Sequence, residues 1–149
     1  MPIKLGLDAK LYYKVGGQAA AAAWTLLGLA KDVTLSIDAS EADVTTRANG
    51  GWKAVVGALK DASVECEMVY DSADVGLIAL RTAFLTNVAI GIRVLDGLIP
   101  ATGTNGTQGL SADMTITKFE LPQPLEEALT TKVTMKPTYS ATPPAWITL

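Results

Sequence analysis

The sequence contains no histidine, one cysteine and few aromatic residues, which make up 6% of its 149 positions. Without histidine, the chain lacks the most common general base, the usual partner of a nucleophilic serine or cysteine, and the most frequent zinc ligand. A single cysteine permits neither an intrachain disulfide nor a cysteine-cluster metal site. We therefore expect a protein that is not an enzyme and that holds no metal and no cofactor.

The familiar motifs for phosphate, dinucleotide and calcium binding are also missing, as is the nucleophile elbow of serine hydrolases. An acid-pair hydrolase stays open in principle because 15 Asp and Glu residues are present, but no spacing singles out a pair. The 12 Lys and Arg residues are scattered, without a basic run or a basic helical face. A tight electrostatic grip on nucleic acid is therefore not expected.

Charged residues are scarce, at 18%, whereas apolar residues reach 49% and the mean hydropathy is +0.29. This composition excludes a disordered chain, and the length predicts a single domain over residues 1–149. A domain of this size has a limited interior, so the surplus apolar surface is either exposed or buried against partner subunits. The composition is thus a first indication of self-association.

The lone cysteine, Cys66, alternates with Glu65 and Glu67, which is typical of a small buried strand residue rather than of a reactive thiol. The two neighbouring carboxylates would raise the pKa of its thiol, and this opposes activation. The basic stretch Met1–Lys14 and the uncharged stretch Val15–Ala30 imitate a secretion signal, but Asp8 interrupts the pattern. The uncharged stretch is also short for a membrane span. We expect a soluble protein, made inside the cell, that does not bind membranes.

Thr, Val and Ile occupy about a quarter of the chain, an abundance that favours sheet. Apolar and polar residues alternate in five segments, which predicts antiparallel strands with one buried and one solvent-facing side. The predicted inward residues are Val33, Leu35 and Ile37; Val64, Cys66 and Met68; Ile90, Ile92 and Val94; Leu110, Ala112, Met114 and Ile116; and Leu129, Val133 and Met135. Lys10–Val15 is a weaker strand candidate, and the alanines of Ala22–Leu27 favour helix. The fold class is mainly β with one helix.

That helix is predicted to follow Asp71-Ser72-Ala73-Asp74, where acidic side chains can cap its first turn. A stripe at helical spacing would face the sheet, and it consists of Ala73, Leu77, Leu80 and Phe84. A second apolar arc consists of Val75, Ile78 and Leu85. This arc indicates either a deeply set helix or a contact with another subunit.

Three segments show no regular pattern. Residues 39–61 form a long inter-strand loop with Asn49-Gly50-Gly51 at its centre, and long loops of this kind are usually functional. Gly97–Gly109 is typical of a flexible linker. Residues 141–149 indicate an extended tail, whose apolar content argues that it is attached to something.

The most distinctive motifs of the sequence lie between residues 45 and 61: Thr45-Thr46-Arg47, Gly50-Gly51-Trp52 and Gly57-Ala58-Leu59-Lys60-Asp61. A late run from Gly109 to Phe119 and an alternating segment from Thr130 to Thr138 follow them. In content and order, these motifs resemble the major tail tube proteins of long-tailed, non-contractile bacteriophages. The resemblance covers roughly residues 20–140, and its sharpest part is the block of residues 45–61.

The resemblance implies a β-sandwich-like or barrel-like domain with one flanking helix, six copies of which close a ring that stacks into a hollow tube. The sheets of neighbouring subunits would join around a channel for the genome. The long loop would reach the next ring, through Thr45, Thr46, Arg47, Gly50, Gly51 and Trp52. The implied partners are further copies of the chain, a tape-measure protein, and tail terminator and tip proteins. The implied location is a virion tail assembled in the bacterial cytoplasm.

Elementary chemistry suits this role at several residues. A conduit for DNA must not hold phosphates, and a net acidic subunit meets that need. The candidate lumen acids are Asp38, Glu65, Glu67 and Asp113. In the loop, Gly50 and Gly51 permit a reversal with positive φ, and Trp52 can anchor it by burying a large ring. Arg47 can offer a fork-shaped contact to a carboxylate across a ring boundary.

Two alternatives stay open. The tube proteins of related injection particles, such as gene transfer agents or secretion-type tubes, share the implied architecture. A β-barrel that binds a small ligand is the less favoured alternative, because it requires an aromatic-lined interior and the aromatic residues lie mostly outside the alternating strands.

Overall fold

The computed structural model describes residues 3–149; Met1 and Pro2, which begin the leader-like basic stretch, lie outside the described residues. One α-helix and eight strands make up the longer regular elements of this part. Their bounds are β1 (Lys10–Val15), β2 (Thr25–Leu26), β3 (Ala30–Asp43), β4 (Val55–Val69), α1 (Val75–Thr86), β5 (Ile90–Leu95), β6 (Gln108–Glu120), β7 (Thr130–Pro137) and β8 (Ala145–Thr148). Single 3₁₀ turns lie at Gly6–Asp8 and Arg47–Asn49.

All eight strands belong to one antiparallel sheet with the order β2-β1-β5-β6-β7-β4-β3, and β8 pairs with the start of β6. The prediction of a mainly β fold with one helix is confirmed. The two weaker candidates diverge: Lys10–Val15 forms β1, whereas Ala22–Leu27 contributes only the two-residue β2 and no helix. Thr25 and Leu26 pair with β1, and this tertiary pairing overrides the helical propensity of the alanines.

Strand β6 joins two parts of the sheet. Its first half pairs with β5 from Gly109 to Met114, and its second half pairs with β7 from Met114 to Glu120. A bulge between Ile116 and Lys118 interrupts the second ladder, and bulges bend a strand and increase its twist. Because β6 changes partner at Met114, the sheet has two parts. One is four-stranded and consists of β6, β7, β4 and β3; the other consists of β2, β1, β5 and the start of β6.

The core lies between one face of the curved sheet and α1. It contains the predicted inward residues of the central strands, among them Val64, Ile92, Met114, Val133 and Met135. Strand β1 is buried on both faces from Leu11 to Lys14, which explains why its sequence does not alternate.

Helix α1 begins as its sequence predicts, because the carboxylate of Asp74 accepts a hydrogen bond from the N–H of Leu77 at 3.0 Å. It ends at Asn87, which adopts the left-handed conformation with φ 54°. Leu77 and Leu80 are fully buried and Phe84 is partly buried against the core. Ala73 is the exception to the predicted stripe: it precedes the cap, lies outside the helix and is exposed.

The predicted loop over residues 39–61 is wrong in its bounds, because β3 continues to Asp43 and β4 begins at Val55. The connecting segment is residues 44–54. Periodicity did not predict the pairing of residues 39–43 with residues 55–60, because this part of the hairpin is exposed on both faces and shows no apolar-polar alternation. The tail at residues 141–149 is extended as predicted, and β8 pairs with β6 along Gln108–Ser111.

Candidate assembly interfaces

The β3–β4 hairpin projects beyond the body of the sheet. Strand β4 pairs with β7 only from Val64 to Val69, so Val55–Ser63 pairs with β3 alone. We call residues 36–63 the arm. Within the arm, the stretch Val55–Ser63 that pairs with β3 alone extends roughly 30 Å at about 3.3 Å per residue. Two-stranded ribbons are marginally stable in water, so an arm of this kind gains stability when another surface covers it.

Exposed apolar side chains cover the arm. The large ones are Ile37, Val44, Trp52, Val55, Val56 and Leu59, of which Leu59 is 83% exposed. The prediction that Ile37 faces the core is wrong, since it is 49% exposed. Apart from Trp52, sequence reasoning missed these large side chains as contact residues. The available signal was the presence of aliphatic residues in a stretch without periodicity, which a solvated loop would not retain.

The tip of the arm, residues 44–54, contains the predicted loop residues. Thr45 fixes its base, since its backbone N–H donates to the Asp43 carboxylate at 2.9 Å and its hydroxyl oxygen accepts from the Ala54 N–H at 2.9 Å. Hydrogen bonds from the Thr45 hydroxyl and backbone N–H lower the pKa of Asp43. Gly50 and Gly51 have φ values of 63° and 86°, which confirms the predicted reversal with positive φ.

Trp52 does not anchor the tip within its own chain, because its side chain is 80% exposed. Thr46 precedes the 3₁₀ turn that contains Arg47, and both residues are exposed. Among residues 3–149 the ion pairs are Lys118–Glu120 at 3.4 Å and Lys136–Asp61 at 4.0 Å, so Arg47 pairs with no carboxylate of its own chain. A contact made by Trp52 or Arg47 therefore requires a second molecule.

The second arc of α1 is largely solvent-exposed. Val75 is 71% exposed and Leu85 is 70% exposed, while Ile78 is half-buried. The alternative of a deeply set helix is therefore wrong for Val75 and Leu85, which leaves the subunit contact as a proposal. The explanation lies in the sheet, which covers only the opposite side of the helix through Leu77 and Leu80.

The outer side of the four-stranded part is a polar face. Cross-strand neighbours place Thr34, Glu65, Thr134 and Lys118 in one row and Asp32, Glu67, Lys132 and Glu120 in the next. The charged members of the polar face are six acids and three lysines, a net charge of −3: Asp32, Asp38, Asp61, Glu65, Glu67, Glu120, Lys118, Lys132 and Lys136. Three of the four predicted lumen acids, namely Asp38, Glu65 and Glu67, share this surface.

The fourth, Asp113, is not a surface acid, and that prediction is wrong. Its side chain is 7% exposed because the chain segment after β1 crosses the sheet above it. Its carboxylate accepts from the N–H of Gln18 at 2.6 Å and from the hydroxyl of Ser140. Asp113 therefore connects the segment after β1, through Gln18, with the segment after β7, through Ser140. Its carboxylate is not available to line a channel.

Trp24 covers the same side of the sheet. The guanidinium of Arg93 lies 4.2 Å from the centre of its ring, and the ammonium of Lys14 lies 5.1 Å away. Burial lowers the pKa of Arg93. Both cations are thus held against Trp24 within the chain, where Lys14 is buried and Arg93 is half-buried.

Cys66 is buried in β4, as its sequence context predicts, and burial raises the pKa of its thiol to about 12. The predicted cause is wrong, because Glu65 and Glu67 lie on the opposite face of the strand. No group of three possible metal-ligating residues occurs within residues 3–149. No helix in this described part is both long and apolar enough to cross a bilayer.

Two strand edges of the four-stranded part lack a partner among the described residues. The outer edge of β3 is open over its whole length, since β3 pairs only with β4. The β6 edge is open from Thr115 to Glu120, because pairing with β5 stops at Met114. Open edges of this length invite pairing with another chain.

Comparisons with known proteins identify a family and a shared fold. The family model for phage tail tube proteins matches residues 9–138. The chain is similar to the tail of an empty gene transfer agent particle computed with C6 symmetry, at 18% identity and a TM-score of 0.73, covering 99% of each chain. It is also similar to the SPP1 tail tube, at 15% identity and a TM-score of 0.71, covering 90% of this chain and 75% of that one.

A subunit of the anti-feeding prophage baseplate has a TM-score of 0.66 at 6% identity, with 99% of this chain and 97% of that chain covered. At these identities the similarities establish the fold. No curated protein sequence gives a significant match. The family match spans most of the chain, and the similar structures share its mainly β fold. The chain belongs to the phage tail tube protein family.

Proposed function

We propose that six copies of this chain close a ring by pairing the open edge of β3 in one copy with the Thr115–Glu120 edge of β6 in the next. The open edges support this pairing, because they bound the four-stranded part on its two sides. The tail of the gene transfer agent particle, which has the same fold, has C6 symmetry. Four strands from each of six copies form a barrel of about 24 strands, and barrels of 16–18 strands already leave an aqueous channel.

The polar face lines this channel in the proposed ring. Its other side packs against the core, so the polar face is the side of the four-stranded part that is available to a lumen. Its acids outnumber its lysines two to one, and Lys118 and Lys136 already contact Glu120 and Asp61. A DNA molecule passing along it would find few free cations to hold its phosphates, and its passage would depend little on sequence.

Rings then stack through the arm, and the stacked rings form the tube of a virion tail that conducts the genome. Tape-measure, terminator and tip proteins are the further partners of such a tube, and the bacterial cytoplasm is its place of assembly. The tail tube of a gene transfer agent is the second candidate, because the structural match with that tail covers 99% of each chain. Both candidates use the same ring and the same channel.

The decisive experiment images the purified protein by negative-stain microscopy and measures its mass by light scattering. We expect rings or tubes, whereas a monodisperse monomer at high concentration would contradict the proposal and favour the ligand-binding alternative. Proline at Val33 or Thr34 then tests the edge. Successive N–H groups of an edge strand point alternately towards β4 and towards solvent, so only one of the two variants disrupts the monomer.

The variant that retains the parent's melting temperature is the informative one. It has lost only an outward N–H and gained a ring that blocks strand addition, so we expect it to remain monomeric. Tubes formed by this variant as readily as by the parent would show that copies do not pair through β3. The proline variant that unfolds serves as the internal control for the direction of the N–H groups.

A further inference from the structure

An apolar cleft of about 360 Å³ opens between the C-terminal half of α1 and the adjoining ends of β1 and β5. Its lining consists of small or aliphatic residues, among them Val15, Thr82, Ala83, Thr86 and Val88. Val15 and Val88 are 59% and 51% exposed, so the apolar lining continues onto the surface. Within one chain nothing among the described residues fills this space.

The tip of the arm presents a large apolar side chain that could occupy such a cleft. Trp52 is the largest exposed apolar side chain there, and two glycines with positive φ precede it and turn the chain sharply. The arm extends roughly 30 Å beyond the pairing with β7. An exposed arm of that length presents Trp52 to a neighbouring molecule.

The charges of the two surfaces also match. Helix α1 has no basic residue in its last turn, where the partial negative charge of the helix dipole is concentrated. Lys53 and Arg47 flank Trp52 at the tip, and neither makes an ion pair within residues 3–149. Placing the tip at the cleft brings cations to a helix end that lacks them.

We propose that Trp52 of a second copy inserts into the cleft beside α1, with Lys53 and Arg47 next to the C-terminal end of that helix. This inference rests on the proposed self-assembly and identifies the surface that receives the arm. A large aromatic ring in an apolar pocket is the usual centre of a protein interface. Thr82 and Ala83 then form the floor under the ring.

Cysteine cross-linking tests this contact directly, because the native Cys66 is buried and stays silent. The test protein keeps Trp52 and carries Lys53→Cys and Thr86→Cys, because the proposal places Lys53 beside the end of α1, where Thr86 lines the cleft. Its matched control carries Lys53→Cys and Leu125→Cys, since Leu125 is fully exposed and lies outside the cleft lining. Oxidation of assembled tubes should give a ladder of disulfide-linked multimers for the test pair and monomers for the control pair.

The alternative occupant is the N-terminal segment of another copy, where Leu5 and Leu7 are also exposed. Cross-linking of Leu5→Cys with Thr86→Cys, without cross-linking of the Lys53 pair, would overturn the inference. Tubes that form normally but give no 53–86 link would overturn it while leaving the proposed function intact. Failure of the parent protein to form tubes would overturn both.

A charge variant adds an independent readout on the parent background. Lys53→Glu should raise the protein concentration needed for tube formation about two- to five-fold at low salt, the size expected for one charge at a helix end. Added salt should remove the difference. Lys4→Glu makes the same change in charge outside the tip and should assemble like the parent. If Lys53→Glu and Lys4→Glu raised the concentration needed for tube formation equally, the proposed position of the tip beside the end of α1 would be contradicted.

Discussion

Strand β4 passes through two environments, and the contrast explains how this chain combines a stable body with an adhesive surface. From Ala62 to Met68 every second residue is buried against α1 and the sheet, whereas Val55–Asp61 is exposed throughout. The composition changes little between the two stretches, since Val55, Val56 and Leu59 are as apolar as the core residues. The difference is the neighbour: β7 and α1 cover one half of the strand, and only β3 pairs with the other.

Apolar side chains therefore have two roles in this protein. In the body they stabilise the monomer, because burial removes apolar area from water on folding. On the arm the same side chains remain in water until another molecule covers them. The surplus of apolar residues in the composition is explained by the arm and by the exposed arc of α1.

The largest effect that would test the contrast comes from one leucine in each region. Leu80→Ala removes a fully buried side chain and should lower the free energy of unfolding by about 2–5 kcal/mol. Leu59→Ala removes an 83% exposed side chain and should change it by no more than about 0.5 kcal/mol while impairing tube formation. Urea denaturation of the monomer and microscopy measure the two results. Equal destabilisation by both variants would show that the arm is part of the folded core.

Glycines with positive φ give a smaller test of the same contrast. An alanine Cβ at Gly17 would lie 2.8 Å from the Asp113 carboxylate, in addition to the strain of φ 92°. Gly51→Ala meets the strain of φ 86° but no neighbour within 4 Å. We expect a loss of about 2 kcal/mol or more for Gly17→Ala, and about 1 kcal/mol for Gly51→Ala, confined to the tip. Thermal melts that ranked the two variants in reverse would contradict the account of the Asp113 contacts.

The smallest effect concerns alkaline pH and the buried half of β4. The thiol of Cys66 has a pKa of about 12 in the folded chain against 9.0 for an unperturbed thiol. Because the folded pKa is raised, its contribution to stability is complete below pH 9 and is lost as the pH rises towards 12. At pH 10 the loss should be about 1 kcal/mol. Cys66→Ala should be less stable at neutral pH but should show a shallower decline over this range.

The same thiol offers a kinetic check. In the native protein it should resist alkylation at pH 8, and it should react in urea, where the core is open. Rapid labelling of the native protein would mean that β4 opens locally around Cys66. The part of β4 that is stably packed in the body would then be shorter than the pairing with β7 indicates.

Three features could be predicted from local sequence, because each depends on periodicity or on capping within a few residues: the mainly β class, the capped helix and the inward residues of the central strands. The sequence also indicated the family, through the motifs between residues 45 and 61. It could not delimit the arm, since alternation disappears where neither face is buried, and it misplaced Asp113, whose partners Gln18 and Ser140 are far away in the chain.

The surfaces that remain uncovered depend on how distant segments pack in the folded chain. The open edge of β3, the matching edge of β6 and the cleft beside α1 each arise where separate segments stop pairing or packing against one another. No local pattern encodes such an end point, because it depends on the lengths of partner strands distant in sequence. Local sequence thus contains the residues of a self-assembling surface, but the whole fold determines whether those residues are exposed to another copy.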